Sequence, residues 1–148
     1  MLKTMKFLAI VVMALALVPG GAHFFELPNK VGLGETEYFS VQQIYAGWAL
    51  FGIVLFGALA LNFTLAILLR GDRPAVYFAA AGFLAMAANL ALFFIWTFPA
   101  NQATANWTTV PENWEALRAQ WEYSHAANAL VTLLGFCSIT LAALTARK

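Results

Sequence analysis

The feature that most constrains this fold is a set of four long apolar segments separated by polar turns and loops. They lie at about residues 5–18, 44–69, 75–98 and 126–145. About 20 apolar residues cross a bilayer as a helix, in which every backbone polar group is bonded internally. Hydrophobic residues make up 62% of the 148-residue chain, more than a soluble domain of this size can bury. We therefore predict an all-α fold: a single domain, residues 1–148, forming an integral membrane four-helix bundle with up-down topology.

Composition excludes several classes of function. The net charge of +1 leaves no basic surface for a nucleic acid. The single cysteine, Cys137, cannot form an intrachain disulfide or a CxxC motif. No acid or base lies in the middle of a span, which argues against a proton pump or an ion channel. The expected partners are the lipid bilayer, a lipophilic small molecule, and a membrane protein partner or a second copy of the chain.

Charge asymmetry predicts the orientation. Segments 19–43 and 99–125 share one side of the membrane and carry only two basic residues, Lys30 and Arg118. The other side carries six: Lys3, Lys6, Arg70, Arg73, Arg147 and Lys148. Because basic residues are retained in the cytoplasm, we predict a multi-pass protein of the cytoplasmic (inner) membrane with both termini cytoplasmic. The two long segments then form outer loops and helical extensions.

The first apolar segment has a second interpretation. Lys3 and Lys6 precede a short apolar stretch, and Gly20-Gly21-Ala22 resembles a cleavage site of small residues. This is also the pattern of a secretory signal peptide. Either interpretation places the following residues outside.

Two polar clusters, His23-x-x-Glu26 and Glu122-Tyr-Ser-His125, contain both histidines of the chain. In an up-down bundle the first and fourth helices are neighbours, so the clusters are predicted to converge. His23, Glu26, Glu122 and His125 would then suit a transition metal. Two alternatives stay open. One is a metal-free acid-base or ligand-binding site. The other is a structural role, in which the histidines bond to loop carbonyls, Glu122 pairs with Arg118 and Lys30 neutralises Glu26.

Tryptophans recur every seven residues in the second outer segment, at Trp107, Trp114 and Trp121. They are typical of an aromatic belt at a membrane surface. Alternatively, Trp114 and Trp121 form the wall of a pocket for a flat apolar ligand. Asn128 lies one helical turn beyond His125 and could orient its imidazole.

Five short stretches carry a resemblance to a known family. They are AHFFELPNK (22–30), YFSVQQIY (38–45), FPAN (98–101), WEALR (114–118) and WEYSH (121–125). These stretches resemble the outer segments of small four-helix bacterial membrane proteins related to the anthrone oxygenases, and the likeness extends over nearly the whole chain. Members often have arginine three residues after the histidine, where this chain has Asn128, so an oxyanion-stabilising role there does not carry over.

The resemblance implies an oxidoreductase or oxygenase that acts on a lipophilic aromatic or quinone-like compound at the outer membrane surface. His125 would remove a proton from the substrate, with no cofactor or with a transition metal. By this resemblance His125, His23, Asn101 and Trp121 would line the site. Together with the residues indicated by spacing, the candidates are His125, His23 and Asn101 for catalysis, and Trp121, Trp114 and Asn128 for binding the compound or a cofactor. The alternative is a non-catalytic membrane subunit or scaffold that docks a partner through its outer face, so whether the chain is an enzyme stays open.

Overall fold

The computed structural model describes residues 1–147, which form helices and connecting turns without a β-strand. The six α-helices are α1 (Leu2–Lys30), α2 (Glu35–Gln42), α3 (Phe51–Leu68), α4 (Ala75–Leu92), α5 (Phe98–Ala103) and α6 (Trp114–Thr145). Two 3₁₀ turns, Gln43–Tyr45 and Trp48–Leu50, precede α3, and a π-helical segment, Phe93–Thr97, joins α4 to α5.

Four helical stretches are long and apolar enough to cross a membrane. They are Leu2–Lys30, Trp48–Leu68, Ala75–Ala103 and Trp114–Thr145. Helix α1 packs against α3 and α6, and α4 packs against the same two helices, which closes a ring of four antiparallel neighbours. The predicted up-down membrane bundle is thereby confirmed, and the chain is a multi-pass membrane protein.

Small residues allow the helices to approach closely. A Cβ atom added to Gly82 of α4 would lie 2.5 Å from the side chain of Ile139 of α6. One added to Gly135 would lie 2.9 Å from the Met13 side chain of α1. Between lipid-solvated helices, such close van der Waals packing drives association. Large apolar side chains remain exposed on the outside of the bundle, where lipid covers them: Phe7, Ile53, Phe63, Leu84, Leu134 and Leu144.

Helices α1 and α3 differ from the predicted segments in where they begin or end. Helix α1 continues past residue 18 to Lys30 although it contains Pro19 and Pro28; proline is tolerated inside membrane-spanning helices. Helix α3 begins at Phe51 instead of residue 44, since Gly47 adopts a left-handed conformation with φ of 85°. Helix α6 begins at Trp114, in agreement with the helix start that the sequence indicates at Thr109-x-x-Glu112 with Pro111, from which the helical pattern continues unbroken into the fourth apolar segment. Much of the two outer segments is therefore helical.

The two ends of the bundle differ in character. The turn end comprises residues 69–74, the start of α1 and the end of α6, and there Asp72 Oδ2 accepts a hydrogen bond from the Arg147 backbone N–H at 2.8 Å. The aromatic end comprises α2, α5 and the connecting residues 31–34, 43–50 and 104–113. All the sequence-predicted site residues lie in the aromatic half of the bundle.

Candidate functional site: an aromatic-walled cavity

A cavity of about 650 Å³ lies inside the aromatic half of the bundle. Its walls come from α1, the 3₁₀ turns, α3, α4, the π-helical segment, α5, the loop after α5 and α6, and most of the lining side chains are apolar or aromatic. Five sequence-predicted residues line it: His23, Asn101, Trp121, His125 and Asn128. The cavity thus combines an apolar wall with a few polar groups, as ligand sites do.

The two histidines contact each other on the cavity wall. The ring centroids of His23 in α1 and His125 in α6 are 4.2 Å apart, with 42° between the ring planes. The Trp121 indole packs against both, at 4.8 Å and 4.2 Å respectively. Gly20 allows this approach, because a Cβ there would lie 3.3 Å from the Cα of Ala129. The structure therefore brings together the imidazoles of the two polar clusters.

The carboxylates of the same clusters lie behind the cavity wall. Glu122 is fully buried, and its Oε1 accepts hydrogen bonds from Lys30 Nζ and the Tyr38 hydroxyl, both at 2.9 Å. Arg118 donates to the Leu33 carbonyl at 2.5 Å instead. The hypothesis that Glu122 pairs with Arg118 is therefore wrong, because Lys30 occupies that place.

Lys30 is the site residue that sequence reasoning placed least well. Its side chain is 3% exposed, and its Nζ lies 3.9 Å from Glu26 Oε2 in addition to the contact with Glu122. The ammonium also lies 4.5 Å and 4.7 Å from the ring centroids of Tyr45 and Trp121. The four-residue spacing of Glu26 and Lys30 indicated the contact between these two residues. The contact between Lys30 and Glu122 could not be found from a local pattern, because the two residues are far apart in sequence.

Two tyrosines complete the buried charge cluster, which we define as Glu26, Lys30, Tyr38, Tyr45 and Glu122. Tyr45 donates a hydrogen bond to Glu26, as Tyr38 does to Glu122. Burial, reinforced by the adjacent carboxylate, raises the pKa of Tyr38 above its ordinary value. Burial and the hydrogen bond to Glu26 raise the pKa of Tyr45 in the same way. Both phenols therefore stay protonated and donate across the physiological pH range.

The four predicted metal ligands are divided between two environments. The imidazoles line the cavity, while Glu122 faces Lys30, and the shortest link between the two sets is 3.8 Å, from His23 Nδ1 to Glu26 Oε2. Within residues 1–147, no group of three or more His, Cys, Asp or Glu side chains is placed to hold a metal ion. The arrangement does not fit a centre with four protein ligands, and the metal site remains a prediction from spacing.

Asn101 holds the indoles of the aromatic end. Its Oδ1 accepts hydrogen bonds from Trp121 Nε1–H at 2.8 Å and Trp107 Nε1–H at 3.3 Å. Trp114 lies outside the cavity, with its ring centroid 6.3 Å from that of Tyr38 and Arg118 stacked over it at 4.7 Å. The expected wall of Trp114 and Trp121 is formed instead by Trp121 and Trp107, because α6 directs Trp114 toward α2.

A strained turn places Trp107. Ala105, Asn106 and Trp107 have φ values of 47°, 56° and 63°, a left-handed conformation that costs about 1–2 kcal/mol for each residue. Thr104 Oγ1 accepts the Trp107 backbone N–H at 3.1 Å, and the Asn106 N–H donates to the Asn101 carbonyl at 2.7 Å. No sequence signal revealed this turn, since none of its residues is glycine.

No protein-family model, curated protein or solved structure matches this chain. The fold and the site therefore define a class and not a family: a multi-pass α-helical membrane protein with an aromatic-walled cavity inside the bundle. The resemblance to the anthrone-oxygenase-related proteins remains a prediction from the sequence.

Proposed function

We propose that the protein binds a flat lipophilic aromatic or quinone-like compound in this cavity and catalyses its oxidation by molecular oxygen. The observation that carries the proposal is the pair of contacting imidazoles, His23 and His125, on the wall of a largely apolar cavity of about 650 Å³. A cavity of that volume accommodates a small organic molecule. The surrounding indole and phenyl rings suit a flat ligand.

The chemistry requires one base and no resident cofactor. His125 takes a proton from an activated ring CH₂ group, and the carbanion adds to dioxygen with formation of a C–O bond. The imidazolium returns its proton to the peroxide oxygen, and the hydroperoxide eliminates water. One oxygen atom remains as the product carbonyl and the other leaves as water, so that dioxygen accepts the four electrons lost by the carbon. General base catalysis of this kind contributes about 10²–10⁴-fold in rate.

Other cavity residues position the base. His23 packs directly on His125, and Trp121 contacts both rings. Asn101 in turn fixes the Trp121 indole through the 2.8 Å hydrogen bond. These contacts support a positioning role for Asn101 and Trp121 and leave the proton transfer to His125.

We also propose that the aromatic end faces the outside of the cytoplasmic membrane, with both termini in the cytoplasm. The turn end carries the basic side chains that are retained on the cytoplasmic side: Lys3, Lys6, Arg70, Arg73 and Arg147. At the aromatic end, Lys30 and Arg118 are both engaged inside the protein.

Oxygen uptake with anthrone as the probe tests the enzymatic proposal. The purified protein in lipid nanodiscs should consume oxygen faster than empty nanodiscs, and His125→Gln should lower the enzymatic rate at least about 100-fold. Tyr123→Phe is the matched control, because Tyr123 lies in the same turn of α6 and is 59% exposed. A wild-type rate equal to that of empty nanodiscs would contradict the proposal, and stoichiometric co-purification of another membrane protein would favour the scaffold alternative.

Metal analysis of the same preparations tests the metal site that the spacing of the histidines and glutamates predicts. A metal centre that depends on the histidines would give stoichiometric metal in the wild type and none in the double variant His23→Ala, His125→Ala. Wild-type oxygen uptake without stoichiometric metal would support the metal-free chemistry.

A further inference from the structure

The inner end of the cavity contains a second polar group of side chains. Asn89 of α4 and Asn128 and Thr132 of α6 line the cavity there. Asn89 Nδ2 donates to Thr132 Oγ1 at 2.8 Å and to the Asn128 carbonyl at 3.4 Å. Thr132 Oγ1 also donates to the Asn128 carbonyl at 2.8 Å. These bonds join α4 to α6, as polar side chains between membrane helices commonly do.

Two oxygens of this group are left without a partner. Asn89 Oδ1 and Asn128 Oδ1 are buried and accept no hydrogen bond, and each side chain is 5% exposed. An unsatisfied buried polar group lowers stability, so the joining of α4 to α6 does not account for these acceptors. Asn62 Oδ1 is likewise unpartnered, but Asn62 lies deeper in the bundle and does not line the cavity.

The amide pair, Asn89 and Asn128, lies farther along the bundle than the two histidines, and the geometry of α6 gives the separation. His125, Asn128 and Thr132 follow one another at helical spacings of three and four residues, on one face of α6. A rise of 1.5 Å per residue places Asn128 about 5 Å and Thr132 about 10 Å below His125 along the helix axis. The cavity wall also includes the apolar side chains of Ala16, Leu55 and Leu90. Two polar groups at different depths of a largely apolar cavity match a fused-ring compound with a polar substituent at each end.

We propose that the side-chain oxygens of Asn89 and Asn128 form a second ligand subsite, which accepts a hydrogen bond from a hydroxyl group of the bound compound. The subsite rests on the proposed function in that it uses the same cavity, and it specifies the ligand as a hydroxylated fused-ring aromatic. A turn of the Asn128 amide about its soft terminal torsion presents its oxygen to the cavity, whereas the same turn of Asn89 would exchange its bond to Thr132 for one to the ligand. The ligand hydroxyl then supplies the missing donor.

Equilibrium binding of two probes tests the subsite without turnover. The probes are 2-naphthol, with one hydroxyl, and 2,6-naphthalenediol, with one at each end, measured against protein in nanodiscs with empty nanodiscs subtracted. The wild type should bind the diol about tenfold more tightly than 2-naphthol. The gain in affinity comes from the second hydroxyl, which donates one hydrogen bond to a buried acceptor that 2-naphthol leaves unpaired. Equal affinity would overturn the subsite, including the case in which internal water already satisfies both amides.

Variants assign the preference to the amide pair. Leucine has nearly the shape of asparagine without its amide, so Asn89→Leu with Asn128→Leu should abolish the preference for the diol and bring its affinity down to that of 2-naphthol measured on the same variant. Asn62→Leu is the matched control and should retain the preference. A preference that survives the double substitution would overturn the assignment. Failure of both probes to bind the wild type would overturn the proposed cavity function itself, whereas 2-naphthol binding without a diol preference would overturn the subsite alone.

Discussion

At the scale of single residues, Lys30 decides whether the buried charge cluster is stable. Its ammonium faces the fully buried Glu122 at 2.9 Å and the partly exposed Glu26 at 3.9 Å, and Lys30 itself is buried. Removing one partner of a buried ion pair leaves an uncompensated charge and costs about 3–5 kcal/mol. Lys30→Met should therefore lower the free energy of unfolding by that amount, as measured by denaturant titration in mild detergent.

A second substitution separates charge from packing at this position. Adding Glu122→Gln to Lys30→Met removes the stranded carboxylate and keeps an acceptor for the Tyr38 hydroxyl, so most of the lost stability should return. Glu115→Gln, an exposed position on α6, should change stability by no more than about 0.5 kcal/mol. If the double variant is as unstable as Lys30→Met alone, the charge is not the cause.

At the scale of elements, the contact between α1 and α6 holds the histidine pair together. A Cβ at Gly20 would lie 3.3 Å from the Cα and 3.5 Å from the Cβ of Ala129, whereas one at the adjacent Gly21 meets nothing within 4 Å. Gly20→Leu should force the helices apart and lower the free energy of unfolding by about 1–3 kcal/mol relative to Gly21→Leu. Both variants gain similar helix propensity, so that their difference in thermal unfolding isolates the contact.

The variants Gly20→Leu and Gly21→Leu also test whether the contact between α1 and α6 is needed for ligand binding in the cavity. Separation of α1 from α6 should also weaken 2-naphthol binding in Gly20→Leu and leave Gly21→Leu unchanged. Equal stability and equal binding of the two variants would mean that α1 can shift along α6 without disturbing the histidines.

Local pattern predicted the elements better than it predicted their contacts. The apolar segments revealed four spanning helices, and the up-down order brought His23 and His125 to one place. The first helix was predicted to end at about residue 18, where the continuous apolar stretch stops, but α1 continues through Pro19 and Pro28 to Lys30. The partner of Glu122 was missed because Lys30 is remote in sequence and Arg118 stands at the favourable i−4 position. Trp107 was underestimated because its place depends on a left-handed turn without glycine.

At the scale of the whole molecule, the two ends of the bundle differ in whether their basic side chains make internal contacts or are exposed. The basic side chains of the aromatic end make internal contacts: Lys30 with carboxylates, and Arg118 with the Leu33 carbonyl and the Trp114 ring. The turn end has a short connection, with exposed Arg70 and Arg73. The proposed orientation therefore rests on the positive charge of the turn end, and in that orientation the cavity lies toward the outer side of the membrane.

Cysteine labelling of intact cells tests this orientation. Cys137 is first replaced by serine, after which Glu112→Cys places a thiol in an exposed loop of the aromatic end, and Gly71→Cys places one in the turn, where a Cβ meets nothing within 4 Å. A membrane-impermeant maleimide should label Glu112→Cys and spare Gly71→Cys until the cells are permeabilised. The reverse pattern would place the aromatic end in the cytoplasm, and the cavity would then receive its ligand from the opposite leaflet.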